Sequence, residues 1–192
     1  MKPVLMIHEI DERVFSLPLE KYTLTFDDGL YSQFYYFDRF KSIPTEKIYF
    51  ISSGIICDGV QSTDFPTCRE AHQKAFVGNT EDYMTVAQIK ELMADPLVTI
   101  GGHSHTHNRL GSYTKLVERI KHIKDDTELM LEWFKANLGF TPTKFCFPYN
   151  EDYQGIYQSL LKIYGFTGFY GRERIPIEML LHTQSPQHTL DI

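Results

Sequence analysis

Short runs of apolar, β-branched or aromatic residues alternate along this chain with longer stretches whose apolar positions recur at helical spacing. Val4–Ile7, Tyr22–Phe26, Lys47–Ile51, Val98–Gly101, Lys144–Phe147 and Phe166–Tyr170 predict strands. Thr85-Val86-Ala87-Gln88 reads as a capping box that opens a helix ending before Pro96. From Thr114 to about Leu138 the residues Leu116, Ile120, Ile123, Met130, Phe134 and Leu138 keep a helical period, with Gly139 as the stop. A further helix is predicted from Gln154 to Tyr164, closed by Gly165. Strands alternating with helices predict an α/β fold. The stretch from Ser52 to Tyr83 is irregular, broken by Gly54, Gly59, Pro66 and Gly78. A segment this long in a compact domain is usually functional or carries small elements of its own, and it is expected over the pocket.

The polar clusters fall just after the predicted strands. His8 follows the first, Asp27-Asp28-Gly29 the second, His103-Ser104-His105-Thr106-His107 the fourth and Pro148-Tyr149 the fifth. In a parallel β/α arrangement the C-terminal strand ends converge on one face, so these clusters are expected to share one pocket. One carboxylate and the two imidazoles of His103 and His107 make three ligands for a divalent metal, and the second carboxylate is then free to act as a base. By itself Asp27-Asp28-Gly29 reads equally well as a turn; it is the pairing with a second strand-end cluster that points to chemistry. The oxygen and nitrogen donors suit zinc, with cobalt, manganese, iron or nickel compatible. His105 is expected to point away from its neighbours. His182, after Met179-Leu180-Leu181, reads either as a general acid or as a tail histidine. His72, His122 and His188 lack supporting context and are expected on the surface, while Glu9, Asp11 and Glu12 read as a solvated acidic loop.

Composition narrows the partners. The 192 residues suit a single domain, 1–192, and a net charge of −6 disfavours nucleic acid or an anionic membrane as the main partner. No run approaches the ~18 apolar residues of a membrane span. The apolar run at Val4–Ile7 is too short for a signal-peptide core, so a cytoplasmic protein is expected. Three cysteines without paired C-x-x-C spacing indicate neither a disulfide framework nor a cysteine zinc site. The 12 Tyr and 14 Phe suit stacking on sugar rings or a Phe-heavy core. Oligomeric state is not legible.

At these residues the chain resembles the polysaccharide deacetylase family, the NodB-homology domain of carbohydrate esterase family 4. Thr25-Phe26-Asp27-Asp28-Gly29 is similar to its first motif, His103-Ser104-x-x-His107 to its second and Phe147-Pro148-Tyr149, incompletely, to its third. Val4-Leu5-Met6-Ile7-His8 is similar to the first strand of many members, so the matches span residues 4 to about 150. The resemblance implies a distorted, incomplete (β/α) barrel and metal-dependent removal of an N-acyl group from an amino sugar, as in an intracellular intermediate of surface-polysaccharide (lipopolysaccharide-type) biosynthesis. It implies Asp28, His103 and His107 as metal ligands and Asp27 as base. Tyr149, after Pro148, would donate its backbone N–H to the oxyanion. His182 would be the acid, if Leu180-x-His182 is the late family motif. A deformylase or other C–N hydrolase, and a non-catalytic carbohydrate-binding relative, stay open as alternatives. The chain departs from the family pattern at Cys146, where an arginine usually braces the base, and at Asn150, where glycine is usual. Arg172 and Arg174 read as phosphate contacts or as surface charges.

Overall fold

A computed structural model describes residues 2–183; His188 lies outside the described residues. Seven strands form a single parallel sheet: β1 (Val4–Ile7), β2 (Thr23–Phe26), β3 (Lys47–Ile51), β4 (Val98–Gly102), β5 (Lys144–Cys146), β6 (Gly168–Tyr170) and β7 (Ile175–Pro176). Their order is β6-β5-β4-β3-β2-β1-β7, every pairing is parallel, and β6 and β7 are the two edges. The sheet therefore curls as a barrel does but stays open, the distorted and incomplete (β/α) barrel that the family resemblance implies.

Seven helices accompany it: α1 (Tyr31–Tyr35), α2 (Phe37–Lys41), α3 (Cys68–Ala75), α4 (Val86–Leu92), α5 (Leu116–Leu138), α6 (Ile156–Ile163) and α7 (Ile177–Thr183). From Ile123 onward the predicted helical period is the buried face of α5, which sets Ile123, Met130, Phe134 and Leu138 into the core, while Leu116 is exposed and Ile120 half-buried. Gly139 ends α5 in the left-handed conformation, at φ 79°, that a side chain would oppose. The Thr85–Gln88 capping box opens α4. Six strands fall where the apolar runs place them, with ends shifted by a residue or two. The two-residue β7 and the short α1, α2, α3 and α7 are additions, each too brief to hold a full period. Among the described residues no helix is long and apolar enough to cross a membrane.

Two glycines at the end of β4 let the core close around the strand that carries the histidines. A Cβ on Gly101 would lie 2.6 Å from two ring atoms of Phe50, and one on Gly102 would lie 2.7 Å from Met130 Sδ. Overpacking of this kind costs typically ~1–3 kcal/mol. Gly101→Ala is thus expected to lower the melting temperature by roughly 2–12 °C, a range that follows from the usual ~2–4 °C per kcal/mol in a chain of this size. A thermal melt within a degree of the native protein would show that Phe50 moves aside freely.

Candidate metal centre

The strand ends deliver their side chains through unusual backbone. Asp28 and Gly29 follow β2 with φ of 76° and 82°. Ser104 and His107, after β4, lie at 67° and 52°, and Tyr149 and Asn150, after β5, at 57° and 55°. Left-handed backbone costs a non-glycine residue roughly 1–2 kcal/mol, and concentrating it at three strand ends marks a site held by its surroundings. The supports are visible. Gln33 Nε2 donates to the Asp27 carbonyl at 2.6 Å, and Asp126 on α5 accepts from the backbone N–H groups of His105 and Thr106, both at 2.8 Å. Ser104 Oγ accepts from the His107 N–H at 2.9 Å. Asparagine, among the non-glycine residues most at ease at positive φ, preserves at position 150 the conformation that a glycine would supply.

Asp28, His103 and His107 meet in the interior. Asp28 Oδ1 lies 3.1 Å from Nε2 of His103 and 3.1 Å from Nε2 of His107, and the two Nε2 atoms are 3.2 Å apart. All three residues are buried. Four observations bear on the fit of these donors to a divalent ion. With ligand bonds of ~2.0–2.1 Å, neighbouring donors stand about 3 Å apart in an octahedron and about 3.4 Å apart in a tetrahedron, which brackets the observed triangle. Asp28 Oδ1 is a buried oxygen with no hydrogen-bond partner, an orphan that a cation satisfies. His103 Nδ1 faces the Cys146 carbonyl at 2.8 Å, and because a carbonyl only accepts, the proton sits on Nδ1 and leaves Nε2 its lone pair. Burial pushes His107 down to about 4 against the pull of Asp28, whereas at His103 burial is outweighed by the neighbouring Cys146 and Asp28, which raise it, so the His103 Nε2 lone pair is freed when a cation displaces the proton it otherwise holds beside Asp28.

Asp27 points into the same region but is held differently. Arg174 spans both of its oxygens, Nη1 to Oδ1 and Nη2 to Oδ2, each at 2.7 Å, with both side chains buried. The same guanidinium reaches Thr25 Oγ1 at 3.0 Å, Asn150 Oδ1 at 2.7 Å and, through Nε, the Gly171 carbonyl at 3.1 Å. Burial alone would raise the Asp27 carboxyl; the Arg174 charge outweighs it and holds the group below the usual carboxylate range. Arg174 is therefore neither a surface charge nor a phosphate contact. It does for Asp27 what an arginine at position 146 does in the family pattern. Cys146 packs beside the pair, its thiol pushed up to about 11 mainly by burial and the neighbouring Asp27, and donates to Asp27 Oδ2 at 3.3 Å.

A cavity of about 660 Å³ opens onto this cluster, lined by His8, Asp27, Asp28, His103, His107 and Tyr149 among others. His8 Nε2 lies 3.6 Å from Asp27 Oδ2 and 3.9 Å from Asp28 Oδ2. The Tyr149 ring packs on His107 with centroids 4.9 Å apart, and Arg109 covers its other side. Pro148 is buried behind Tyr149. The irregular segment between Ser52 and Tyr83 contributes α3, whose Cys68, Arg69 and His72 line the cavity. His105 turns away, its Nδ1 2.9 Å from Ser53 Oγ, and His122 pairs with the Tyr113 hydroxyl. His182 is exposed in the last turn of α7 and is not among the residues lining the cavity. His72, expected on the surface, is buried at the cluster with Nε2 3.6 Å from Asp28 Oδ1. Its signal was present as the capping box Thr67-Cys68-Arg69-Glu70, which starts a helix bearing Cys68 and His72 on one face.

No protein-family profile matches the sequence, and no curated protein is similar to it at a significant level. Solved structures are similar in fold. IcaB from Ammonifex degensii superposes with a TM-score of 0.66 at 18% identity, over 91% of this chain and 90% of that one. The BpsB deacetylase domain from Bordetella bronchiseptica gives 0.63 at 14% identity, over 91% and 94%. The Streptococcus pyogenes deacetylase PplD, in complex with acetate, gives 0.59 at 15% identity, over 96% and 98%. At such identities the likeness establishes the fold, which is that of the polysaccharide deacetylases.

Proposed function

We propose that this chain is a metal-dependent hydrolase that removes an N-acetyl group from an amino sugar. The observation that carries the reading is the triangle of Asp28, His103 and His107 donors, with an arginine-braced second carboxylate beside it, at the mouth of a cavity. A volume of about 660 Å³ is within the ~300–1,000 Å³ of small-ligand pockets and suits a short saccharide. An amino-sugar intermediate of surface-polysaccharide synthesis fits that size.

Asp28, His103 and His107 would hold the ion, most simply zinc, with cobalt, manganese, iron or nickel compatible with the donor set. When bound, a divalent ion supplies Lewis acidity to the acyl carbonyl and acidifies water in the site. Asp27 accepts the proton of the attacking water. Its depressed pKa keeps it ionised and ready at neutral pH, at some cost in basicity. The backbone N–H of Tyr149 donates to the developing oxyanion, a contact typically worth roughly 3 kcal/mol. Asp27 then returns the proton to the departing nitrogen, so one water is consumed and a carboxylic acid and a free amine leave. His182 is not among the residues lining the cavity, so the return is assigned to Asp27. Arg174 fixes Asp27 in one orientation throughout, and His8 closes the side of the site nearest β1.

Purified protein is expected to carry about one divalent ion per chain and to release acetate from an N-acetylated sugar or short oligomer. Dialysis against a chelator should abolish release, and readdition of zinc or cobalt should restore it. Formate release in place of acetate would move the reading to a deformylase. Tight saccharide binding without any acyl release would favour a carbohydrate-binding relative.

A further inference from the structure

His72 is built to do more than fill space. It lies on α3, an eight-residue helix opened by the Thr67–Glu70 capping box and tied at its start by Glu9, whose Oε1 accepts from the Cys68 N–H at 2.8 Å. His72 Nδ1 sits 2.9 Å from the Cys68 carbonyl one turn back. A carbonyl only accepts, so Nδ1 bears the proton and Nε2 keeps a free lone pair. That Nε2 has no hydrogen-bond partner, the side chain is 8% exposed, and the atom aims at Asp28 Oδ1 from 3.6 Å. Leaving a buried acceptor unsatisfied costs typically ~1–3 kcal/mol.

The surroundings repeat the arrangement seen at His103. The donor atoms of Asp28, His72 and His107 lie within 4.8 Å of one another, and the His72 and His107 rings are 4.1 Å apart between centroids. Cys68, one turn before His72 on the same face, donates its S–H to Asp28 Oδ2 at 2.9 Å. Burial, followed by the neighbouring Asp28, pushes that thiol well above its ordinary range, so it stays a donor. With Oδ2 engaged by Cys68, Asp28 presents Oδ1, its orphaned oxygen, to three imidazoles rather than two.

We infer that His72 is a fourth protein ligand of the metal, so that the site is one carboxylate and three imidazoles. The inference rests on the metal-site reading above and adds a consequence. Four protein donors close a tetrahedral ion, whereas a catalytic ion needs an open position. The site therefore favours an ion that accepts five or six ligands, with room left for water.

Cobalt(II) added to the metal-free full chain is the probe. X-ray absorption at the cobalt edge of the wild-type protein is expected to count three imidazoles, and the visible absorption to be of the weak five- or six-coordinate kind. His72→Ala should show two imidazoles and weaken cobalt binding, measured by chelator competition, by about 10- to 100-fold or more. Two imidazoles in the wild type, or unchanged affinity in His72→Ala, would overturn the inference while leaving the three-donor site intact. No stoichiometric cobalt uptake by the wild type would overturn the metal site itself. The count in the wild type needs no variant, so a folding defect in His72→Ala leaves the test decisive.

Discussion

Asp27→Asn is expected to retain the metal and lose turnover by about 10²–10⁴-fold, the usual contribution of a positioned general base. The amide preserves the shape of the side chain but cannot accept a proton, and none of the proposed metal donors is touched. One secondary effect is built in. Arg174 donates to both Asp27 oxygens, and an asparagine offers one acceptor and one NH₂ group that opposes the guanidinium. The variant should therefore be less stable as well as slow, so its rate is read below its own melting transition with folding confirmed by circular dichroism. Turnover within a few-fold of the native protein, at native metal content, would remove Asp27 from the chemistry.

Arg174→Leu should produce the largest loss of stability. It strands a carboxylate that is 2% exposed and loses its guanidinium partner, and breaking one side of a buried pair typically costs ~3–5 kcal/mol. The pH dependence identifies the cause. In the native protein the folded Asp27 pKa lies below its unfolded value of about 3.9, so its stabilisation is fully present above that value and is lost as pH falls through the folded pKa. In Arg174→Leu burial, the largest influence, is opposed only by the neighbouring His8 and His103 and raises the same pKa, so the variant is penalised at neutral pH and relieved on acidification. The stability gap between the two proteins, from urea unfolding, is thus expected to be widest near pH 7 and to narrow toward pH 4. A gap independent of pH would assign the loss to packing. The double variant Asp27→Leu/Arg174→Leu, with neither charge, should recover most of the stability and none of the activity.

What could be read in the sequence followed the range over which each feature acts. The strands, α5 and the donors that follow β2 and β4 come from local patterns: apolar runs, a helical period, two histidines four residues apart. Arg174 was illegible for the opposite reason. It pairs with Asp27 across 147 residues, from the lead-in to a two-residue strand that no periodicity announces. The clue was indirect: Cys146 in place of an arginine left a buried carboxylate that some other cation had to meet. His72 was missed because the glycines and prolines of its segment obscured a helix of only eight residues. Asn150, an oddity in the linear pattern, proved doubly apt, since it takes up positive φ and accepts a hydrogen bond from Arg174.

The distance between Asp27 and its brace also sets an order of events during synthesis. A chain grows from its N-terminus at roughly 5–20 residues per second. Asp27, Asp28, His103 and His107 therefore emerge seconds before Arg174 does. Until then the nascent domain holds its histidines and carboxylates without the cation that keeps Asp27 ionised in the interior. A product arrested or clipped ahead of Arg174 would have most of the sheet yet an unbraced Asp27, so the proposed base would be held in place only once the edge strand β7 is laid down.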